Sequence, residues 1–262
     1  NEDLRQIAQA LQTPPKESKT LISLFFHLLN DRFRMEFEGL LASQENNRRA
    51  LDKLPELVSW CAKHGLYQQA LTLLCEQMPE YICSHIFLQP TESGLKYLET
   101  RKENRGKPWV YPLFHFHFCR MALLQLKLPY TADLRLNRNR GNEDGNILFG
   151  VASAEEVHDY VKEAIDFGQL VIDHKVQRQV EGAAMLYQRV IHYRNQVNHA
   201  NDTSFGLQSD RILPLDIAHI EQLLQEVTDY LQELRPMRPN VPQGVKALPV
   251  TMTISAGMAL AL

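Results

Sequence analysis

Apolar residues recur at helical spacing in nearly every segment of this chain, and that period limits its fold more than any other feature. The pattern is longest over residues 175–200. On an ideal helix each residue turns by about 100°. With Arg194 set at zero, Val180, Ala183, Tyr187, Val190, Ile191 and Val197 fall within roughly 80° of it. Arg194 therefore projects from the middle of an apolar arc, with Asn198 flanking it one turn later. His192, Asn195 and His199 form a polar stripe alongside. A guanidinium in an apolar arc is costly unless something pairs with it. A phosphate is one suitable partner, because the planar fork donates two bonds at once. A carboxylate on a neighbouring helix is the other, and the histidines would then be ordinary surface residues.

The remaining segments extend the helical reading. Residues 1–12 place Leu4, Ile7, Ala8 and Leu11 on one face, and Thr13-Pro14-Pro15 ends that helix. Ser18 caps residues 19–41. Pro55 suits the start of a helix over 54–63, and Gly65 joins it to a second over 66–82, forming an antiparallel hairpin. Residues 89–94 read as a loop, 95–105 as a charged helix and 112–126 as a buried helix, although the HFHF run alternates as a strand does. Residues 135–145 read as a long loop whose Arg135, Arg138 and Arg140 either guide RNA or, the favoured reading, are solvated and balanced by Glu143 and Asp144. Ser153 and Glu156 form a capping box for a helix over 154–173. Turn formers at 201–206 end the Arg194 helix, and a last helix follows Pro214 over 215–234. The expected fold class is all-α: a helical N-terminal part over 1–105, a helical domain over 106–235, and a short tail over 236–262. The tail is apolar and β-branched, suited to adding a strand to a sheet edge, on a domain outside this chain.

Composition narrows the function. The 262 residues are 44% hydrophobic with a net charge of −3 and a pI near 6.4. Broad coating of nucleic acid needs a basic surface and is disfavoured; a local site for one or two phosphates is not. Cys61, Cys75, Cys83 and Cys119 form no CxxC pair and sit among apolar residues, as buried thiols do. That points to a reducing compartment, with the cytoplasm as expected location, and away from a disulfide framework or zinc finger. No apolar run is long enough for a membrane helix. The chain opens on Asn1 and not Met, as a fragment or processed product would. His115 and His117 diverge by about 200° on a helix and cannot share an ion there, so no metal site and no cofactor is expected.

The stretch YRNQVNHAND, residues 193–202, carries a resemblance. Arg194, Asn195, then His199 resemble the motif of the HEPN ribonucleases. The extended form RNxxNHA resembles most closely the RNA-cleaving ancillary proteins of type III CRISPR systems. GLYQQALTLLCEQMPEYI, residues 65–82, is similar to a helical segment upstream of that motif. The resemblance spans 55–234 in the order of elements and those two stretches in detail. It implies a HEPN-like helical bundle that works as a homodimer. Such enzymes cut single-stranded RNA at one composite interface site, without metal, and leave a 2′,3′-cyclic phosphate and a 5′-hydroxyl. It further implies that Arg194 and His199 are the catalytic pair and Asn195 their polar support. Asn198 and His192 are added from the helical wheel as substrate-binding residues. The CRISPR relatives carry an upstream Rossmann-like sensor for cyclic oligoadenylate. This chain has no alternating βα pattern and no glycine-rich phosphate loop, so that sensor is expected in a parent protein.

The chemistry suits those residue types. RNA supplies its own nucleophile, the 2′-hydroxyl. Internal attack needs a proton acceptor, a proton donor to the leaving oxygen, and cations against the phosphorane charge. Arg194 and His199 lie about 140° apart on one helix. Two copies of the helix meeting about a two-fold axis would combine them, with the apolar arc serving partly as dimer contact. The competing classes are a non-catalytic helical interaction module and a phosphate-binding accessory subunit.

Overall fold

The computed structural model describes residues 50–100, 102–118, 122–126, 146–199 and 215–254, and for 116, 122–126, 146–150 and 199 the backbone course alone. The helices expected over 1–12 and 19–41 and the loop over 135–145 lie outside the described residues.

The helical hairpin forms where expected. Helix α1 (Leu54–Lys63) carries Pro55 in its first turn, where its missing N–H would have no intrahelical partner. Gly65 turns the chain with φ 70°, a conformation that disfavours side chains with a Cβ. Helix α2 (Tyr67–His85) then runs back along α1. Pro79 lies inside α2 and cannot donate to the carbonyl of Cys75, four residues earlier. The Tyr187 hydroxyl donates to that carbonyl instead, at 3.0 Å.

Tyr187 belongs to helix α5 (Gln177–His199), which packs against α2, helix α4 (Ala154–Asp166) and helix α6 (Ile217–Leu234). Val180, Ala183 and Val190 of its apolar arc are fully buried, with Tyr187 and Ile191 nearly so. Each large side chain buried this way is worth roughly 1.5–3 kcal/mol. The arc is filled by the chain's own helices, so the expectation that it serves as dimer contact is corrected. Helix α4 starts at Ser153 with the capping box in place. Gln188, a buried amide on α5, accepts from Ala152 N–H at 2.8 Å and donates to Ala152 C=O at 3.0 Å. It thereby satisfies both backbone groups of the segment entering α4.

Two short antiparallel pairs interrupt the helical pattern. Strand β1 (Leu88–Pro90) pairs with β4 (Leu170–Ile172), and β2 (Ala122–Leu126) with β3 (Asn146–Gly150). Three corrections follow. Residues 89–94 are not one loop: they hold the end of β1 and the start of helix α3 (Glu92–Glu99), capped by Thr91. Residues 112–126 are not one helix: a helical turn leads into a π-helical turn over Leu113–Phe118, then β2. The helix begun at 154 stops at Asp166, and Leu170–Ile172 is strand. A three-residue strand shows no period to read.

The tail also departs from expectation. Thr253 forms an isolated β-bridge with Pro108 in the same chain. Gly106 N–H donates to Ile254 C=O at 2.7 Å, Ile254 N–H to Lys107 C=O at 2.9 Å, and Trp109 N–H to Met252 C=O at 3.0 Å. Ile254 is buried in the one core cluster that runs from Leu54 to the tail. Residues on both sides of the expected 105/106 boundary share that core.

Gly94 gives a test in which two effects oppose. Helix propensity alone makes Gly94→Ala stabilising by about 0.8–1.0 kcal/mol. A Cβ there would meet the carbonyl oxygen of Gln169 at 2.0 Å, and backbone displacement of this kind costs about 1–3 kcal/mol. Gly94→Ala is expected to lower the free energy of unfolding in urea; a gain would show that α3 does not press on the 167–169 turn.

Candidate functional site

The cleft beside Arg194 is built on the Pro79 defect in α2. Its volume is about 360 Å³, and its lining includes Cys75 and Glu76 from α2, Tyr187, Ile191, Arg194 and Asn195 from α5, and Lys107, Tyr111, Pro112 and His115 from the segment leading to β2. The Tyr187 hydroxyl is engaged by Cys75 C=O and the Tyr111 hydroxyl by Glu76 C=O, so both rings stand as fixed walls. Burial, then Glu80 and Glu76, push the Tyr111 phenol up, keeping it a donor.

Arg194 is partly buried. Its Nη1 donates to Asn195 Oδ1 at 3.2 Å, and its buried Nε has no hydrogen-bond partner. Among the described residues no carboxylate pairs with it. Arg189, five residues earlier on α5, shows the contrasting case: its Nη1 lies 2.5 Å from Glu226 Oε2 of α6. Arg235 likewise pairs with Glu56, at 2.6 Å. Arg189 thus ties helices together, while Arg194 is turned to a cleft. Lys107 adds a second cation there, held by the bonds between its carbonyl and the tail. Glu76 is the carboxylate in the lining.

Cys75 carries no nucleophile at neutral pH. Burial pushes its thiol up to about 12, with Arg194 pulling the other way and Glu76 adding to the rise. The thiolate is the reactive form, so Cys75 serves as wall. Cys61, Cys75 and Cys83 are free thiols. No group of three or more His, Cys, Asp and Glu among the described residues is placed to hold a metal ion. No helix there is long and apolar enough to cross a membrane.

The other sequence-expected residues separate. Asn195 lines the cleft with Arg194. Asn198 does not; its Oδ1 accepts from Gln68 Nε2 of α2 at 3.0 Å. His192 is also absent from the lining and sets its ring edge-on to Tyr193, with centroids 6.1 Å apart. His199 ends α5, and its side chain lies outside the described residues.

His115 is the residue the sequence reading passed over, having weighed it only as a metal ligand. The π-helical turn separates it from His117 as the helical wheel required. His117 is buried, with Nε2 2.9 Å from Gln169 Oε1. His115 reaches the cleft. His115 is exposed at the rim, and partial desolvation, then Lys107 and Arg194, hold its imidazole below the usual range. The π-helical turn that carries it, a feature frequent at functional sites, is visible only in the structure. The position of His115 opposite Arg194 is likewise a long-range contact that no local spacing encodes.

Comparison with protein-family models, with curated proteins and with solved structures returns no match for this chain.

Arg189 and Arg194 of α5 should behave oppositely. Arg189→Met is expected to cost about 0.2–1 kcal/mol through the lost pair with Glu226. Arg194→Met removes a guanidinium whose buried Nε lacks a partner, and is expected to be neutral or stabilising. Urea unfolding of both variants checks this; a larger loss at Arg194 would make it a structural residue.

Proposed function

We propose that this chain is a metal-independent endoribonuclease of the HEPN type that cuts single-stranded RNA, with Arg194 holding the scissile phosphate. The observation that carries the reading is a guanidinium facing a cleft, without a carboxylate partner among the described residues, beside a second cation. A phosphodiester satisfies such a group by charge and by paired hydrogen bonds. Asn195 bonds to the guanidinium and fixes its fork. His199 supplies the second motif position, as the resemblance implies. A transition state that gains negative charge on phosphorus oxygens is favoured by fixed cations in a partly dry cleft. The setting implied by the resemblance belongs to the same proposal: an effector of type III CRISPR defence, acting in the cytoplasm as a homodimer, with a cyclic-oligoadenylate sensor upstream. In that dimer the polar edge of α5 makes the contact, since its apolar arc is occupied.

A second reading, a phosphate-binding accessory subunit, draws on the same pair of cations, Arg194 and Lys107. Single-stranded RNA incubated with the chain in EDTA separates them. Cleavage with 2′,3′-cyclic phosphate ends is expected, falling at least about 10²-fold in Arg194→Ala and in His199→Ala. Undiminished cleavage by Arg194→Ala refutes the reading; RNA binding without cleavage selects the accessory subunit; neither binding nor cleavage leaves the interaction module. Light scattering is expected to give twice the chain's mass. A monomer cutting at full rate would remove the composite groove.

A further inference from the structure

We infer that His115 is the proton acceptor of the Arg194 cleft, a catalytic residue supplied by the π-helical turn and not by the motif helix. The inference rests on the ribonuclease reading and adds a residue to it. Three observations carry it.

First, His115 lines the same cleft as Arg194 and Asn195, so guanidinium and imidazole face one space within one protomer. Second, the placement depends on the π-helical turn. It sends His117 into the core while His115 stays at the cleft. Third, the groups facing His115 set its charge state. Lys107 comes from the loop, Arg194 from α5, Glu76 and Cys75 from α2, and Tyr111 from its own segment. Two cations oppose one carboxylate, while the thiol and phenol stay neutral. Poor hydration and the two cations both favour neutral imidazole. Neutral imidazole is the form that accepts a proton.

The 2′-hydroxyl gives its proton to His115. Its oxygen lone pair forms the O2′–P bond. The P–O5′ bond breaks with its electron pair going to O5′, which takes a proton from water, and the proton on His115 neutralises the hydroxide so formed. Arg194 and Lys107 face the charge that builds on the non-bridging oxygens.

The test compares the chain with His115→Gln and His115→Asn, reading single-stranded RNA cleavage between pH 5 and 8. It also measures binding of the same oligonucleotide carrying 2′-deoxy sugars, which binds but lacks the nucleophile. For the parent, kcat/KM is expected to rise with pH and level off below the ordinary histidine midpoint of about 6.5. The corresponding rise in kcat is expected at higher pH, since a bound phosphate favours imidazolium. Both variants are expected to lose at least about 10²-fold in kcat and to lose the acid limb. Deoxy-oligonucleotide affinity and the urea midpoint should stay unchanged. Parental rates and pH profile in both variants overturn the role of His115 and leave the ribonuclease reading standing, which Arg194→Ala tests separately. Loss of deoxy-oligonucleotide binding along with cleavage would make His115 a binding residue and overturn the inference. A parent chain that cuts no RNA overturns both.

Discussion

Helix α5 uses one arc for two incompatible purposes. Val180, Ala183, Tyr187, Val190 and Ile191 bury it among α2, α4 and α6, and Arg194 projects from the same arc. Hydrophobic burial pulls the helix inward, whereas the guanidinium resists desolvation. The chain resolves the conflict by opening a cleft on the side of Arg194, while Tyr193 and Gln196 on either side of it stay buried. A single ion pair would have been the simpler resolution, and the same helix uses one at Arg189. No such pair forms at Arg194 among the described residues, and that is how the two arginines differ.

The cleft owes its walls to a defect. Pro79 deprives the Cys75 carbonyl of its helical donor, and a carbonyl left unpaired in a buried place costs about 1–3 kcal/mol. Tyr187 reaches across from α5 to supply the bond, and Tyr111 binds the next carbonyl, that of Glu76. Two aromatic side chains are therefore tied to successive carbonyls of α2 and both line the cleft. The backbone exception in α2 and the π-helical turn carrying His115 face the same cleft. Local irregularity concentrates at one place, as expected where sequence is shaped by more than folding.

Much of the architecture was legible because it is written in periods. Helices α1, α2, α5 and α6 are long enough for the 3.6-residue repeat to show, and the Ser153–Glu156 box marks where α4 starts. The strands were not legible. Leu88–Pro90 and Leu170–Ile172 have three residues each, and their pairing depends on each other across the chain. The site divides in the same way. Arg194 and Asn195 were readable from the helical wheel, since both lie on one helix. Asn198 and His192 failed to join them in the cleft because the wheel says which direction a residue points but not what stands opposite: Gln68 meets Asn198. Lys107 and His115 arrive from another segment and could not be found by spacing.

The distribution of charge sets the cleft apart from the rest of an acidic chain. A net charge of −3 gives no long-range attraction for a polyanion. Arg194 and Lys107 place their charge locally, in the lining of one cleft. Lys107 is placed there by the tail, whose Ile254 N–H binds the Lys107 carbonyl while Gly106 N–H binds Ile254 in return. The two cations thus reach one cleft by separate routes, one through the core helix and one through the last described residues. Two cations gathered in one cleft of about 360 Å³ present positive charge over a small area, not along a track. Tyr111 and Tyr187, each held by a backbone carbonyl of α2, bound the space beside them.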